Sequence, residues 1–213
     1  MAVPLSADTT MCDGTYGGTG KNVTVPSGAT CVLTSGTTVT HDLTVDPGGT
    51  LIDPTVTIQH DLVAQNPAGI VISGDSIGHD LRIEGLSGSA ASTGNNVCGT
   101  EVGHDLVIAG GLASAGALLI GGCPNGGSNV GHDLVVAGNA NAIVVDGNSV
   151  GHDLVVTGNA NAVVGTGNSV GHDLRVDGAP HPKPNPEPKA KTAPADRPPP
   201  APKPHDDDHD PKT

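Results

Sequence analysis

The sequence predicts an all-β fold, a single-stranded right-handed parallel β-helix of about eight coils with about 20 residues each. The triplet His-Asp-Leu occurs seven times, beginning at His41, His60, His79, His104, His132, His152 and His172. Repetition at such a short period is typical of a solenoid, in which each repeat is one coil stacked on the next. The chain also has no Phe, no Trp and one Tyr. Its core must therefore consist of small aliphatic side chains, which suit a narrow interior that repeats from coil to coil.

The strands are predicted from the apolar residues that flank each triplet. The residue two before every His is Val or Ile, the residue two after is Leu, and the residue four after is Val, Ile or Ala. Alternation with period two indicates strands with one face in the core. A second short strand is expected at 142–145 and 162–165, after turns such as Gly138-Asn139, because Gly and Asn tolerate positive φ. The right-handed sense follows from the usual chirality of parallel crossover connections.

Three regions are expected along the chain. Residues 1–21 carry no repeat and are predicted to cap the first coil, which would otherwise expose an unpaired strand edge. Residues 22–178 form the β-helix, and its first coil lacks the His-Asp pair. Residues 179–213 are rich in Pro, end in the acidic run 205–210 and have no apolar pattern, so they are predicted to be a disordered tail. A weak divalent-metal site or a solvated terminus are the alternatives for 205–210.

The four cysteines predict two disulfides. Cys12 and Cys31 are separated by about one coil, and so are Cys98 and Cys123. Stacked coils bring such positions together, although four buried thiols remain the alternative. Disulfides are typical of an oxidising compartment. We therefore expect a secreted or cell-surface protein whose signal peptide is absent from this sequence.

The charge of the chain limits its partners. Residues 1–178 hold three Lys and Arg against 16 Asp and Glu, a net charge of −13. Such a body should repel nucleic acid and anionic membrane surfaces, which excludes nucleic-acid binding as the expected function. No apolar run approaches the roughly 18 residues of a membrane span. Cations, a basic protein or a surface glycan are the partners that remain.

The repeated His-Asp pair is the candidate site. Strict alternation would place His inward and Asp outward, but Gly precedes five of the seven His, and Gly often marks a corner where alternation breaks. The orientation of His therefore stays open. The candidate metal ligands are His41, Asp42, His60, Asp61, His79, Asp80, His104, Asp105, His132, Asp133, His152, Asp153, His172 and Asp173.

Two interpretations of this ladder remain. A repeated polar residue can hydrogen-bond its neighbours above and below, and thereby fix the register of the coils, with no ligand involved. Alternatively, stacked carboxylates would suit Ca²⁺, and an outward column of imidazoles would suit Zn²⁺, Ni²⁺ or Cu²⁺. No motif requires a cofactor.

The predicted architecture resembles that of the pectate-lyase-like superfamily, whose members cleave polysaccharides with Asp clusters and Arg or Lys. This chain departs from that pattern, since only Arg82 and Arg175 lie on repeat strands and no aromatic platform is present. The form Gly-Asn-Ser-Val-Gly-His-Asp-Leu-Val-Val at 147–156 is similar to repeats in uncharacterised secreted bacterial proteins, a resemblance that covers residues 35–178. The coils and the Pro-rich tail also resemble bactofilins, β-helices that polymerise end to end. The His-Asp-Leu motif is not theirs, and paired cysteines argue against a cytosolic location.

These observations favour a non-catalytic extracellular or cell-surface scaffold. The last coil ends at Val176 without an obvious cap, so we expect it to self-associate into a homo-oligomer through coil ends. The alternatives are a divalent-cation-binding solenoid and, with less support, a polysaccharide-active enzyme.

Overall fold

A computed structural model describes residues 8–90, 94–124 and 126–177 and confirms the all-β parallel β-helix. All strand pairings between the coils are parallel, and the strands form one sheet of nine strands and two of eight within these residues. Each coil gives one strand to each sheet, which makes eight complete coils and the first strand of a ninth. None of the described segments forms a helix with the length and apolarity needed to cross a membrane. The predicted tail, 179–213, lies outside the described residues.

The three sheets have these bounds. Sheet 1 contains β1 (Thr9–Met11), β4 (Asn22–Val25), β7 (Leu43–Val45), β10 (Leu62–Gln65), β13 (Leu81–Glu84), β16 (Leu106–Ala109), β19 (Leu134–Ala137), β22 (Leu154–Thr157) and β25 (Leu174–Val176). Sheet 2 contains β2 (Gly14–Tyr16), β5 (Thr30–Leu33), β8 (Thr50–Pro54), β11 (Gly69–Ser73), β14 (Asn95–Cys98), β17 (Leu118–Gly121), β20 (Ala142–Asp146) and β23 (Asn161–Val164). Sheet 3 contains β3 (Thr19–Gly20), β6 (Thr38–Val39), β9 (Thr57–Ile58), β12 (Ser76–Ile77), β15 (Glu101–Val102), β18 (Asn129–Val130), β21 (Ser149–Val150) and β24 (Ser169–Val170).

The core is a set of aliphatic columns along the solenoid. The Leu of each triplet pairs with the Leu of the next, as in Leu81 with Leu106, and both are fully buried. Full burial of one such side chain contributes about 1.5–3 kcal/mol. The alternation predicted for these strands is confirmed, because inward residues are buried and their neighbours are partly exposed.

The segment expected to be a cap without a repeat is itself a coil over residues 9–20. Strands β1, β2 and β3 pair in parallel with β4, β5 and β6 of the following coil. The missing His-Asp pair and the residues Thr9, Thr10 and Thr15 at strand positions hide this coil from a search for the repeat.

Both predicted disulfides are present, with Cα atoms 5.3 Å apart for Cys12 and Cys31 and 5.9 Å apart for Cys98 and Cys123. Each joins one coil to the next. The described residues contain no free cysteine, so the alternative of four buried thiols is wrong.

In the coils from β19 onwards, the other two corners carry inward Asn side chains rather than simple turns. Gly138 and Gly147 take the positive φ angles. The Asn that follows each Gly turns inward, and Asn139 and Asn148 are almost fully buried. At both corners, Oδ1 of the Asn side chain accepts a backbone N–H of the preceding coil, as Asn148 does from Ser128 at 2.9 Å. Hydrogen bonds between coils therefore stabilise these corners as well as the sheets.

Candidate functional site

The His-Asp pairs form the corner between sheet 3 and sheet 1. In one coil β12 ends at the buried Ile77, the chain bends through Gly78, His79 and Asp80, and β13 begins at the buried Leu81. The bend breaks the alternation, so His points outward and the open question of its orientation is settled. The exposed fraction of the seven His side chains lies between 45% and 62%. The Asp side chains next to them are mostly half-buried.

A close approach between coils explains Gly at these corners. None of the five Gly has a positive φ. A Cβ on Gly103 would lie 2.2 Å from the carbonyl oxygen of Gly78, and a Cβ on Gly131 would lie 2.3 Å from that of Gly103.

Each Asp holds the corner of the coil after it. The Nδ1 atom of His lies 2.7–3.1 Å from Oδ1 of the Asp one coil earlier. The same Oδ1 accepts the backbone N–H of the next coil's Asp at 3.0–3.3 Å. The six pairs joined in this way are His60 with Asp42, His79 with Asp61, His104 with Asp80, His132 with Asp105, His152 with Asp133, and His172 with Asp153.

The ladder starts at His41, which has no Asp in the coil before it. Its Nδ1 lies 2.9 Å from Oδ2 of its own Asp42. Asn22 occupies the position of the missing Asp, and its Oδ1 accepts the backbone N–H of Asp42 at 3.3 Å. The hydrogen-bond pattern therefore continues one coil beyond the triplets, with an amide in place of the carboxylate.

The imidazole rings stack into one column. Successive ring centroids are 4.9, 5.2, 5.2, 5.1, 4.9 and 4.7 Å apart. The planes of His41 and His60 are inclined by 22°, and the other neighbours by 7° or less. The separation follows the spacing of hydrogen-bonded strands. The two longer sequence intervals, on either side of His104, leave it unchanged, because their extra residues loop out elsewhere in the coil.

The hydrogen bonds assign the tautomer of each ring. A carboxylate only accepts, so Nδ1 carries the hydrogen and Nε2 of a neutral ring presents its lone pair to solvent. The hydrogen bond to Asp61 raises the pKa of His79, and the hydrogen bond to Asp105 raises the pKa of His132.

The carboxylates respond in the opposite direction. The backbone N–H of Asp173, and then the ring of His172, lower the pKa of Asp153. For Asp42, burial raises the pKa, but the hydrogen bonds from His60 and from the Asp61 backbone outweigh it, and the pKa is lowered. These hydrogen bonds thus favour the protonated ring at His79 and His132 and the charged carboxylate at Asp42 and Asp153.

The structure brings all fourteen candidate ligands into one column. In successive sets such as His60, Asp61 and His79, one potential ligand atom from each residue lies within 4.8 Å of the others. Oδ1 of the six Asp from Asp42 to Asp153 already accepts two N–H groups, so the remaining potential donor atoms are His Nε2 and the second carboxylate oxygen, Oδ2. A His that donates its other ring N–H to a carboxylate is the usual arrangement behind a metal-bound imidazole. The metal site itself stays a prediction, as does the motif at 205–210, which lies outside the described residues.

Sequence reasoning missed the buried carboxyl pair Asp53 and Asp75. Both are almost fully buried, and Asp53 pairs with Ile72 in a column of aliphatic residues. The parity of the strand could have revealed Asp53, since it lies two residues after the inward Leu51.

No protein-family model, curated protein or solved structure matches the chain. The parallel β-helix architecture is therefore established by the strand pairing alone. The resemblances to pectate-lyase-like enzymes, to bactofilins and to secreted His-Asp-Leu repeat proteins stay predictions from the sequence.

Proposed function

We propose that this protein is a non-catalytic structural scaffold, extracellular or on a cell surface, that extends by stacking its last coil on a second copy. The exposure of core residues in the last coil carries the proposal. Leu174 is 54% exposed, whereas Leu154, its partner one coil earlier, is fully buried. Val170 and Val176 are likewise more exposed than Val150 and Val156.

The shape of this end favours a second copy as its occupant. Strands β23, β24 and β25 are the terminal strands of their sheets. Such edges present backbone N–H and C=O groups that pair with another strand. A partner that pairs with all three strand edges at once must present three short parallel strands arranged as in one coil. The strands β1, β2 and β3 in the first coil of this chain have that arrangement.

The oligomeric mass tests the end-to-end contact. Changing Val170, Leu174 and Val176 to Glu should reduce the mass from light scattering to that of one chain. Leu119→Glu is the matched control, since Leu119 is a partly exposed apolar residue on β17, away from the ends. An unchanged mass in the triple variant would contradict the proposal. A wild-type protein that stays monomeric at high micromolar concentration would also contradict the proposal. That result is expected if residues 178–213 cover the edge instead.

Two disulfides support an extracellular location, because they persist in oxidising compartments. Mass spectrometry with thiol alkylation on protein taken from its native source should find all four cysteines unmodified before reduction. Alkylated cysteines in that sample would argue for a reducing compartment.

A scaffold also accounts for the two Arg on the repeat strands. Arg82 bonds Glu84 on its own strand, and Arg175 contacts Asp173. Both lie on the outside of the solenoid, far apart along it. A polysaccharide-active enzyme is the alternative, and cleavage of any acidic glycan in a screen would favour it over the scaffold.

Binding of a divalent cation through the ladder is a second candidate function. The observation that favours it is the outward Nε2 of rings whose Nδ1 atoms are fixed by Asp. Imidazole suits Zn²⁺, whereas Ca²⁺ requires several oxygen ligands, and here one oxygen of each Asp from Asp42 to Asp153 is engaged by two N–H groups. We expect micromolar Zn²⁺ to raise the melting temperature and millimolar Ca²⁺ to leave it unchanged. No shift with either ion would leave the ladder a purely structural device.

A further inference from the structure

We propose that two copies of this chain join side by side through their His columns, with transition-metal ions bridging the Nε2 atoms of facing rings. This inference rests on the second candidate function, because it needs the column to bind metal. It identifies the donor atom, the class of ion and the partner, which is a second copy. The face involved is distinct from the end of the solenoid.

The spacing within one column explains why a partner is required. A zinc–nitrogen bond is about 2.0–2.1 Å long, so two nitrogens on one ion lie at most about 4.2 Å apart. The centroids of neighbouring rings in the column are 4.7–5.2 Å apart, and most ring planes are nearly parallel, so the Nε2 atoms of neighbouring rings follow a similar spacing. Their lone pairs therefore run side by side without converging. Each ion gains one nitrogen from a column and keeps open positions for other ligands.

A second column supplies those ligands at the right repeat. Its rings have the same spacing, so every ion held by one column can meet a ring of the other in register. Because the ring separations are nearly uniform along the column, an antiparallel arrangement with His41 facing His172 fits as well as a parallel one. Antiparallel columns would give a two-fold symmetric dimer. Several weak bridges acting together bind far more tightly than one.

The surface around the rings permits this approach. Gly precedes five of the seven His, and a ring after Gly has no preceding side chain beside it. Outward positions on the strands of sheet 3 are Ser or Thr except for Glu101 and Asn129, whereas sheet 1 places Arg82 and Arg175 on its outer face. The rings stay accessible along the column, since the exposed fraction of the seven His side chains is 45% to 62%.

Charge makes the contact depend on the ion. Without metal, two facing His columns would place the Nε2 lone pairs of one chain against those of the other, with a row of Asp behind each column. The body of each chain also carries a net charge of −13 over residues 1–178. Divalent ions between the columns supply positive charge and accept both sets of lone pairs, so we expect no dimer on this face in their absence.

The experiment measures mass against metal in the full chain. Purified protein, stripped with EDTA, is titrated with Zn²⁺ or Ni²⁺, and with Ca²⁺ as the control ion, in multi-angle light scattering. The expected result is a two-fold increase in mass with Zn²⁺ or Ni²⁺ that EDTA reverses, and no change with Ca²⁺. Changing His79, His104, His132 and His152 to Gln should abolish the increase, because Gln retains an N–H for Asp but lacks the imidazole nitrogen.

Two control variants separate this contact from others. His205→Gln with His209→Gln removes the tail imidazoles of the 205–210 run and should leave the zinc-dependent dimer intact. Leu174→Glu disrupts the proposed end contact and should also leave it intact. Loss of the dimer in the tail variant, or its persistence in the four-His variant, would overturn the proposal.

The wild-type protein also decides between outcomes, even if the four-His variant does not fold. Zinc binding in calorimetry without an increase in mass would overturn the bridged dimer but keep the cation-binding function. No zinc binding would overturn both. Neither result would affect the end-to-end scaffold, which is tested without metal.

Discussion

At the scale of single residues, Asp53 is an ionisable side chain in a column of otherwise aliphatic core residues. Its side chain is fully buried between aliphatic neighbours, and its oxygens accept no N–H group within the described residues, so the nearby Asp75 carboxyl is the group to which a protonated Asp53 can donate. Burial, and then the charge of nearby Asp75, raise the pKa of Asp53 well above its usual range. Asp75 instead accepts the backbone N–H groups of Val56 and Ser73 at 2.6 and 2.9 Å. The proton of the pair therefore belongs on Asp53.

We expect Asp53→Leu to stabilise the protein, because Leu has a similar shape and continues the column of Ile72. An unsatisfied buried polar group costs about 1–3 kcal/mol, and the gain in unfolding free energy should be of that order. A raised pKa lowers stability as pH rises through the folded-state value, so the gain should be larger at pH 8 than at pH 4. Urea denaturation at both pH values measures it, with Val63→Leu on the outer face as control. A loss of stability at pH 8 would show that Asp53 has an unrecognised partner.

The raised pKa of His132 gives a second test at this scale. The hydrogen bond to Asp105 is its main cause. Asp105→Asn should therefore bring the pKa measured by NMR back towards about 6.5. The hydrogen bond between His132 and Asp105 stabilises the folded state fully below about pH 6.5. This contribution to the free energy of unfolding is lost as the pH rises through the folded-state pKa of His132. An unaltered His132 titration in the variant would mean that the hydrogen bond does not persist in solution. The pKa of His79, which is raised mainly by its hydrogen bond to Asp61 and least by the charge of Asp105, should fall by less than that of His132.

At the scale of elements, the three corners of the coils from β19 onwards use the same principle with different side chains. At each corner, a side-chain oxygen of one coil accepts a backbone N–H of a neighbouring coil. Asp provides the oxygen at the His-Asp corner, and Asn provides it at the other two. The directions differ, because Asp bonds to the coil after it and Asn to the coil before it. Short strands of two to five residues are thereby held in register at both ends.

Asn148→Ala tests this account of the corners. The side chain accepts the N–H of Ser128 and donates to the carbonyl oxygen of Ile120 at 2.8 Å. Its loss leaves both groups buried without a partner, at a cost of about 1–3 kcal/mol for each. Chemical denaturation should show this decrease, and Asn129→Ala at an exposed strand position should change stability by less than about 0.5 kcal/mol.

A conservative variant separates the hydrogen bond from packing. Ser128 occupies the position of Asn148 one coil earlier, and its Oγ accepts the N–H of Thr100 at 3.3 Å. Asn148→Ser should therefore recover part of the stability that Asn148→Ala loses. Equal losses in the two variants would mean that volume, rather than the hydrogen bond, determines the effect.

The sequence predicts those parts of the fold that repeat strictly. The triplet period and its flanking Val and Leu predict sheets 1 and 3, the coil length and both disulfides, and the best repeats predict two strands of sheet 2, at 142–145 and 162–165. The orientation of His could not be predicted, because it depends on a three-residue bend at Gly and not on periodicity. The coil at 9–20 was hidden because its strand residues are largely Thr. The inward turn of Asn148 was hidden because Gly-Asn is equally typical of an exposed turn.

At the scale of the whole molecule, each coil contacts mainly the coils directly before and after it. In such a solenoid, stability is close to a sum of coil and interface contributions, and a local change has local effects. The disulfides stabilise the first two coils and the middle of the β-helix, whereas no disulfide joins the described coils after Cys123. The coils nearest β25, the last described strand of sheet 1, should therefore unfold locally most easily.

Removing one disulfide should show how far stability is transmitted along the solenoid. Closing a loop of about one coil contributes roughly 3 kcal/mol in the chain-entropy model, so Cys12→Ser with Cys31→Ser should weaken β1, β2 and β5 strongly. Hydrogen exchange measured by mass spectrometry should then be faster in peptides covering 9–33 and unchanged in peptides covering 134–157. The same pair of changes at Cys98 and Cys123 should move the effect to 95–121. Equal acceleration along the whole chain in either variant would mean that the coils unfold as one cooperative unit, because the interfaces would then dominate over the stability of any single coil.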